Sequence, residues 1–402
     1  MSRKKLLVLS STYPRWLGDP EPGFVHELAK RLTTQFDVRV LCPHARGAAP
    51  RETFEGVQVR RYRYAPSRLE TLVNDGGIVN NLKRQPWKWL LVPSFLLGLF
   101  WCAWREIRRW HPDVIHAHWL LPQGLIVALL DLLDRHTPPF LVTSHGADLF
   151  ALRARPLTAL KRFVVSRAAA LTVVSQTMTG ELARIGVSAQ KVCVLPMGVD
   201  ITHRFTPMPD QPRSHDEILF VGRLVEKKGL RYLLAAMPEI IARHPAAFLT
   251  IVGFGPEEGE RRAQAEALGL AHKVKFLGPL AQVELPDLYR RAAVFVAPFV
   301  RAESGDQEGL PVTLMEAIAC GCPVVVGELE AMADLFEPDE ADLRVISTNI
   351  QALAEHVIAT LEHPREACRR ADRMRVRLSQ RLSWDTIARQ YAGILRGVLA
   401  IP

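Results

Sequence analysis

Cysteine is scarce in this sequence and is spaced poorly for cross-linking or metal binding. The six cysteines occupy positions 42, 102, 193, 320, 322 and 368, so only Cys320 and Cys322 are close together. A C-x-C pair without a second pair or neighbouring histidines is a weak zinc signal. We therefore interpret the thiols as small buried side chains, which a reducing compartment suits.

The sequence also has no fixed-period repeat, no low-complexity tract and no apolar run of ordinary spanning length. The basic N-terminus followed by apolar residues 6–9 begins like a signal peptide, but the apolar part ends too early, at Ser10. We expect a first buried strand there. The longest apolar run, residues 89–104, has sixteen residues and contains Pro93, whereas a spanning helix needs roughly twenty.

What the sequence does contain is an alternation of strand-like and helical segments. A chain of 402 residues, 48% of them hydrophobic, can bury two cores. Alternation of this kind predicts parallel sheets covered by helices on both faces. The stretch 206–216, with Pro207, Pro209 and Pro212, is the candidate domain boundary. The predicted strands span residues 5–10, 38–42, 114–117, 140–143, 218–221, 248–252, 274–276, 294–297 and 324–326.

A pair of glutamates indicates a binding site in the second half of the chain. Glu308 and Glu316 stand eight positions apart, and Gly309 and Leu310 follow the first. If a helix begins near Gly309, its free amides and positive end suit a phosphate. Eight residues turn a helix about 80° beyond two full turns, so Glu316 would lie deeper on nearly the same face. The ordinary alternative is a solvated helix face.

A cation-rich turn follows the predicted strand at 218–221. Gly222 and Arg223 begin this turn, and Lys228 comes five residues after Arg223. Because open α/β sheets bind ligands at the carboxyl ends of their strands, Arg223 and Lys228 are placed to meet a diphosphate. An ordinary turn with exposed cations is the alternative. The presence of both motifs in the same half of the chain favours a binding site.

These segments resemble the GT-B glycosyltransferases, and within them the retaining group called glycosyltransferase family 4. The resemblance implies an α/β protein with two Rossmann-like, doubly wound parallel-sheet domains that face each other across a cleft. It implies an acceptor-binding domain at 1–205, a nucleotide-sugar-binding domain at 206–382 and a closing helix at 383–402 that packs back on the first domain. The matching segments are His116-Ala117-His118-Trp119 with Pro122 and Gly124, Ser144-His145-Gly146-Ala147-Asp148, Val174-Ser175, Pro196-Met197-Gly198-Val199-Asp200, Gly222-Arg223-Leu224 with Lys228-Gly229, and residues 308–325.

The resemblance also implies roles for residues of the second domain. Glu308 is expected to bind hydroxyls of the transferred sugar, and Glu316 those of the ribose. Arg223 and Lys228, together with the amides of Gly309 and Leu310, are expected to stabilise the departing diphosphate.

In the first domain the resemblance places His145 beside the reacting centre of the sugar, where it would stabilise an oxocarbenium-like state. A plain wall of the cleft is the alternative. Asp148 is expected to hold the same loop. Gly23 matches the glycine that approaches the donor phosphates, although its loop, with Pro20 and Pro22, is longer than the usual form.

Two other kinds of site are weaker. Gly253 and Gly255 follow a strand as in a dinucleotide loop, but Pro256 removes an amide and the third glycine comes late, so a tight turn lining the donor site is preferred. His116 and His118 lie on one face of a strand end, yet no third metal ligand is near, which favours histidines of the cleft. The chain has no D-x-D, so we expect no metal and no cofactor besides the donor.

The reaction expected from the resemblance is transfer of a sugar from a UDP- or GDP-sugar to a saccharide or lipid-linked saccharide, for a cell-surface polysaccharide or glycolipid. Retention by same-face displacement is preferred, because no second carboxylate nucleophile is evident. Two alternatives remain open: a GT-B epimerase acting on a nucleotide sugar, and a non-catalytic subunit that binds one.

Positive charge is concentrated at the N-terminal end. Residues 1–110 carry 19 Lys and Arg against 9 Asp and Glu, or +10, and the other residues carry 32 against 33, or −1, which together give +9. The excess coincides with the apolar run at 87–104, so a cytoplasmic protein resting on an anionic inner leaflet and a wholly buried helix both remain open. No nucleic-acid motif accompanies the charge, so nucleic acid is not an expected partner.

Overall fold

The computed structural model describes residues 3–19, 21, 23–74, 77–150, 152, 154–188, 191–208, 210–303 and 305–400, without the side chains of 331, 333, 334, 338, 339 and 341. Pro20 and Pro22 of the glycine loop and Pro209 of the predicted boundary lie outside these residues. The chain divides into two compact units. Unit 1 comprises Met1–Gly198 with Trp384–Pro402, and unit 2 comprises Val199–Ser383.

Unit 2 therefore begins at Val199 rather than at residue 206. The reason is local packing: the Phe205 ring meets the Tyr289 ring edge-on, with centroids 6.2 Å apart. Arg290 also donates hydrogen bonds to the carbonyl oxygens of Arg204 and Thr206, at 3.0 and 2.7 Å. The residues before the proline-rich stretch are thereby fixed to unit 2.

Unit 1 is built on an eight-stranded sheet. Its strands are β1 (Lys4–Leu9), β2 (Phe36–Pro43), β3 (Arg51–Phe54), β4 (Val57–Tyr62), β5 (Val114–His118), β6 (Phe140–Ser144), β7 (Ala170–Val173) and β8 (Val192–Val194). Its helices begin with α1 (Phe24–Leu32), α2 (Ile78–Arg84), α3 (Leu91–Trp110), α4 (Leu125–Leu133), α5 (Ala147–Phe150), α6 (Arg155–Arg167) and α7 (Thr177–Arg184). The strand order is β3-β4-β2-β1-β5-β6-β7-β8, and β3 pairs antiparallel with β4.

Unit 2 is built on a six-stranded sheet. Its strands are β9 (Glu217–Val221), β10 (Phe248–Val252), β11 (Val274–Gly278), β12 (Val294–Ala297), β13 (Val324–Gly327) and β14 (Arg344–Val345), in the order β11-β10-β9-β12-β13-β14. Its helices are α8 (Leu230–Arg243), α9 (Glu258–Ala267), α10 (Leu285–Arg291), α11 (Val312–Ala319), α12 (Ile350–Glu362) and α13 (Pro364–Leu382). The chain then returns to unit 1 with α14 (Trp384–Leu399).

Both sheets are doubly wound, as predicted. Strand order reverses between β1 and β5 in unit 1 and between β9 and β12 in unit 2. Such reversals open a crevice at the carboxyl ends of the two strands, where ligands bind in this class of sheet. All nine predicted strands are present to within two residues at either end, including the first buried strand at β1.

Helix α3 corrects the interpretation of the apolar run. A 3₁₀ turn over Pro86–Leu90 leads directly into α3, and Pro93 does not break the helix. It lies in the first turn, where a backbone N–H has no helical partner to lose. By length and composition alone, the described segment Pro86–Trp110 could cross a membrane, a test that core helices of other proteins also pass.

Candidate active site

The cation-rich turn of unit 2 lies at the reversal of its sheet. Gly222 and Arg223 directly follow β9, and the turn is held against the residues that follow β12. Val300 donates a backbone hydrogen bond to Lys227 at 3.0 Å. Gly229 has a φ of +69°, and a Cβ there would overlap the carbonyl oxygen of Pro298. The close approach of these two loops therefore fixes the position of both lysines.

A charge cluster occupies this turn. Lys227 and Lys228 each place Nζ 3.4 Å from Oε1 of Glu308, and Lys227 also lies 3.2 Å from Asp306. Burial alone would raise the pKa of Glu308, but Lys227, Lys228 and Arg223 together lower it to about 2. Glu308 is thus ionised at neutral pH. Arg223, Lys227 and Lys228 thus gather positive charge around Glu308 at this edge of the sheet.

Lys228 is the most enclosed of these cations. It is 8% exposed, and its Nζ lies 4.9 Å from the centroid of the Phe299 ring in a cation–π arrangement. Burial lowers the pKa of Lys228, and the charge of Glu308 opposes that shift. A buried ammonium with one carboxylate partner can gain much from a second anion.

Glu316 has a different environment from Glu308. It lies on α11 and is 2% exposed, and its two carboxylate oxygens accept hydrogen bonds from Gln282 Nε2 at 3.0 Å and from Tyr289 Oη at 3.1 Å. Arg204 in turn donates to Gln282 at 2.7 Å. Burial raises the pKa of Glu316 to about 7 in spite of these donors. Each oxygen keeps a lone pair for a further donor such as a ribose hydroxyl.

The helix expected near Gly309 begins later, at Val312, so the prediction that both glutamates share a helix face is wrong. Pro311 is the N-cap residue, and Glu308 lies in the loop before it. Within the described part of the chain, no backbone acceptor is recorded for the amides of Gly309 and Leu310. The Oγ1 atom of Thr313, in the first helical turn, is buried and also has no recorded partner there. These donors can serve an oxyanion.

Gly253 and Gly255 allow the backbone after β10 to approach the cation-rich turn closely, which is a packing role rather than dinucleotide binding. Gly253 has a φ of +128°, and a Cβ there would overlap the carbonyl oxygen of Gly222. A Cβ on Gly255 would overlap the backbone of Leu224 in the same way. The turn after β10 therefore supports the cation-rich turn from behind.

Unit 1 brings three histidines together at its own sheet reversal. His116 and His118 lie on β5, and His145 directly follows β6. Nδ1 of His118 lies 2.9 Å from Nε2 of His145, and the two rings stack with an interplanar angle of 15°. Nε2 of His116 bonds Thr143 Oγ1 at 2.7 Å, and Tyr391 of α14 packs beside the His116 ring.

Burial governs the charge of this histidine cluster. It lowers the pKa of His116 and of His145 to about 3, and it lowers the pKa of His118 well below its ordinary value. All three rings are therefore neutral at pH 7. Because His118 occupies Nε2 of His145, only Nδ1 of His145 is left for an external hydrogen bond.

The remaining predicted residues of unit 1 hold loops. Asp148 accepts hydrogen bonds from the Leu120 amide at 2.7 Å and from Ser144 Oγ at 2.8 Å, which ties the loops after β5 and β6 together. Gly23 precedes α1, and a Cβ there would come no closer than 3.8 Å to any other atom. The fold itself does not require glycine at that position.

Two family profiles match the chain in turn. The one described as Glycosyltransferase Family 4 matches residues 24–203, and the one described as Glycosyl transferases group 1 matches residues 209–376. WcaL of Escherichia coli K12, a glycosyltransferase assigned to colanic acid biosynthesis, is 30% identical over 347 residues, covering 86% of this chain and 76% of WcaL. The chain belongs to glycosyltransferase family 4.

Other similarities agree with membership of family 4. A GDP-mannose-dependent alpha-(1-6)-phosphatidylinositol monomannoside mannosyltransferase of Mycolicibacterium smegmatis is 30% identical over 266 residues, covering 63% of this chain and 69% of that enzyme. The structure of sucrose-phosphate synthase from Thermosynechococcus elongatus superposes with a TM-score of 0.79 at 21% identity and covers 100% of both chains.

The predicted fold class and enzyme class are thus confirmed: this family 4 member is a GT-B glycosyltransferase that uses a nucleotide sugar. Family membership does not support the epimerase or the non-catalytic subunit. The roles of individual site residues stay predictions.

Four residues of the site were not predicted from the sequence of this family 4 enzyme. Gln282 and Tyr289 reach Glu316 from the segment before and within α10, with no motif of their own. Thr313 lies between the two glutamates in the sequence, and Lys227 directly precedes the predicted Lys228. For Lys227, the sequence signal is the pair of adjacent lysines at 227 and 228.

Proposed function

We propose that this enzyme transfers a sugar, with retention of configuration and without a metal ion, from a UDP- or GDP-sugar to a saccharide or lipid-linked saccharide. The observation that supports the donor half is the cluster of Arg223, Lys227 and Lys228 around Glu308 at the sheet reversal of unit 2. The cluster is preorganised, because both lysines are held in place by Glu308.

The leaving diphosphate is stabilised by fixed charges and amides. Negative charge grows on the departing phosphate, and Arg223, Lys228 and the amides of Gly309 and Leu310 are the donors proposed to meet it. Preorganised donors of this kind contribute about 3–4 kcal/mol each to transition-state stabilisation. With three cations in place, the enzyme needs no divalent ion for this step.

The two glutamates bind different parts of the donor beyond its phosphates. Once the phosphates engage the lysines, ionised Glu308 accepts hydrogen bonds from the sugar hydroxyls, and Glu316 accepts them from the ribose. His145, neutral and with Nδ1 available, is proposed to orient the sugar by a hydrogen bond rather than to act as an acid. A same-face displacement is favoured, because Glu308 is bound by two lysines and is not presented as a nucleophile.

The acceptor proposal rests on the relatives. WcaL is assigned to colanic acid biosynthesis, and the mycobacterial relative is named for a phosphatidylinositol mannoside. The second name is that of an enzyme acting on a glycolipid, and we propose a cell-surface polysaccharide or glycolipid as the product, made in the cytoplasm.

A screen of UDP- and GDP-sugars tests the proposal. A donor present at a hundred times its dissociation constant adds about 2.7 kcal/mol of stability, which a thermal shift resolves. Release of nucleotide in the presence of EDTA, with retention at the anomeric carbon by NMR of the product, is the expected result. Inversion, or transfer that requires Mg²⁺ or Mn²⁺, contradicts it.

A further inference from the structure

The outer face of α3 is apolar and exposed. Leu97 and Trp101 of α3 are 68% and 55% exposed, and Leu90, at helical spacing from them at the end of the preceding 3₁₀ turn, is 80% exposed. Trp87 and Trp89 of the same 3₁₀ turn are also exposed. We define these five residues as the α3 patch. Contiguous exposed apolar surface of this kind marks an interaction site.

The opposite face fixes the helix to unit 1. Phe95, Leu99 and Ile107 are buried, and Glu106 is buried between Arg39 and Arg60, with nitrogen–oxygen distances of 2.8 and 2.7 Å. Separating α3 from the sheet would expose these side chains and break a buried ion pair, which is strongly unfavourable. The helix can therefore lie on a surface but not leave the fold to cross a membrane.

The surroundings of the α3 patch are basic. Residues 83–110 contain six Lys and Arg, and Glu106 is their only acidic residue. Lys83, Arg84 and Arg109 are exposed, and no ion-pair partner is recorded for them among the described residues. Glu106 is already paired with Arg39 and Arg60, so Lys83, Arg84 and Arg109 are the cations that this surface presents to solvent.

A groove of about 390 Å³ adjoins the α3 patch. Trp101 and Trp104 of α3 and Leu133 at the end of α4 contribute apolar walls, and Arg108 and Arg135 also line it. Asp134 accepts a hydrogen bond from Trp104 Nε1 at 3.2 Å and pairs with Arg108 at 2.9 Å. Apolar walls beside guanidinium groups suit the acyl chain and phosphate of a phospholipid.

We propose that the α3 patch docks on the headgroup region of an anionic phospholipid bilayer, with α3 in the plane of the interface. Tryptophan and leucine on one face with flanking unpaired cations are the features of interfacial helices. Lysine is depleted from the cores of protein–protein interfaces, which makes a protein partner the weaker alternative. The proposal does not depend on the catalytic function.

Vesicle flotation of the full chain tests the proposal. The protein should float with phosphatidylcholine vesicles that contain phosphatidylglycerol, and not with phosphatidylcholine alone. Raising salt from about 0.1 M to 1 M, which shortens the Debye length from about 10 to 3 Å, should weaken flotation. Replacing Lys83 and Arg84 by Gln should lower partition about 30-fold, from about 1 kcal/mol for each cation. Leu97→Ala with Trp101→Ala should lower it roughly tenfold or more.

Matched controls separate the surface from general effects. Lys275→Gln with Arg365→Gln removes two exposed cations of unit 2, and Val283→Ala with Val376→Ala removes two exposed apolar side chains there. Both controls should float like the wild type, and all variants should keep its thermal midpoint. Equal loss in controls and patch variants overturns the proposal. So does an absence of flotation combined with a patch-dependent dimer or protein complex.

Discussion

Glu316→Gln should change how stability depends on pH. Burial raises the pKa of Glu316 in the folded chain to about 7 from an ordinary value of 4.5. Below pH 4.5 the carboxyl is protonated in both states, so it carries no penalty. As pH rises from 4.5 to about 7 the unfolded chain loses its proton first, and stability falls. Above the folded pKa the loss is complete.

The size of this effect follows from the shift. A difference of about 2.5 pKa units, at about 1.4 kcal/mol for each unit, corresponds to roughly 3 kcal/mol. Glutamine cannot titrate. The free energy of unfolding of the variant relative to the wild type should therefore rise by about 3 kcal/mol between pH 4.5 and about pH 8.

Urea unfolding of both proteins across this pH range measures the difference in their free energies of unfolding. A chain of two units can unfold in steps, so the difference is taken from the transition that the substitution shifts. All other titrating groups are common to both proteins and cancel. Glu239→Gln, at an exposed position of α8, is the matched control for replacing a glutamate by glutamine. A flat difference for Glu316→Gln would show that the hydrogen bonds from Gln282 and Tyr289 cancel the effect of burial on the pKa, and would refute the reasoning.

Three further predictions concern activity. Lys228→Ala and Arg223→Ala should each lower kcat on the order of a hundredfold with an unchanged circular dichroism spectrum, because leaving-group stabilisation is lost, and near-normal turnover in both would contradict the diphosphate assignment. Gly23→Ala should fold normally, since nothing lies within 3.8 Å of the new methyl group, but it should raise the KM for the donor. Gly253→Ala, by contrast, should lower the thermal midpoint. An unchanged KM in Gly23→Ala would remove Gly23 from the site. Transfer should continue in EDTA, and a loss that Mn²⁺ or Mg²⁺ restores would refute metal independence.

The strands that sequence predicted best are those buried on both faces. The runs at 248–252 and 294–297 coincide with β10 and β12, because continuous burial leaves a continuous apolar signal. The five strands without a prediction are β3, β4, β7, β8 and β14. Strand β3 lies at the sheet edge with alternating exposed positions, and β14 has only two residues. Edge strands carry little of the hydrophobic signal on which such predictions depend.

The site residues that follow a predicted strand in the sequence could be predicted. Arg223, Lys228 and Glu308 follow strands that were predicted, and the structure brings the two lysines to Glu308. The partners of Glu316 were not predictable, because Tyr289 lies 27 residues away and meets it only through packing of the folded unit. The helix start was misplaced although Pro311 is itself a boundary signal.

The lysine–glutamate cluster also bears on how the reaction cycle closes. Both lysine Nζ atoms lie 3.4 Å from Glu308, so a diphosphate bound as proposed shares these lysines with the carboxylate. After transfer, the Glu308 carboxylate, which is covalently part of the chain, competes with the product diphosphate for Lys227 and Lys228. If the proposed function holds, Glu308 is expected to limit product inhibition, and Glu308→Gln to slow release of the nucleoside diphosphate. The residue proposed to bind the sugar is thus also the one expected to speed release of the product.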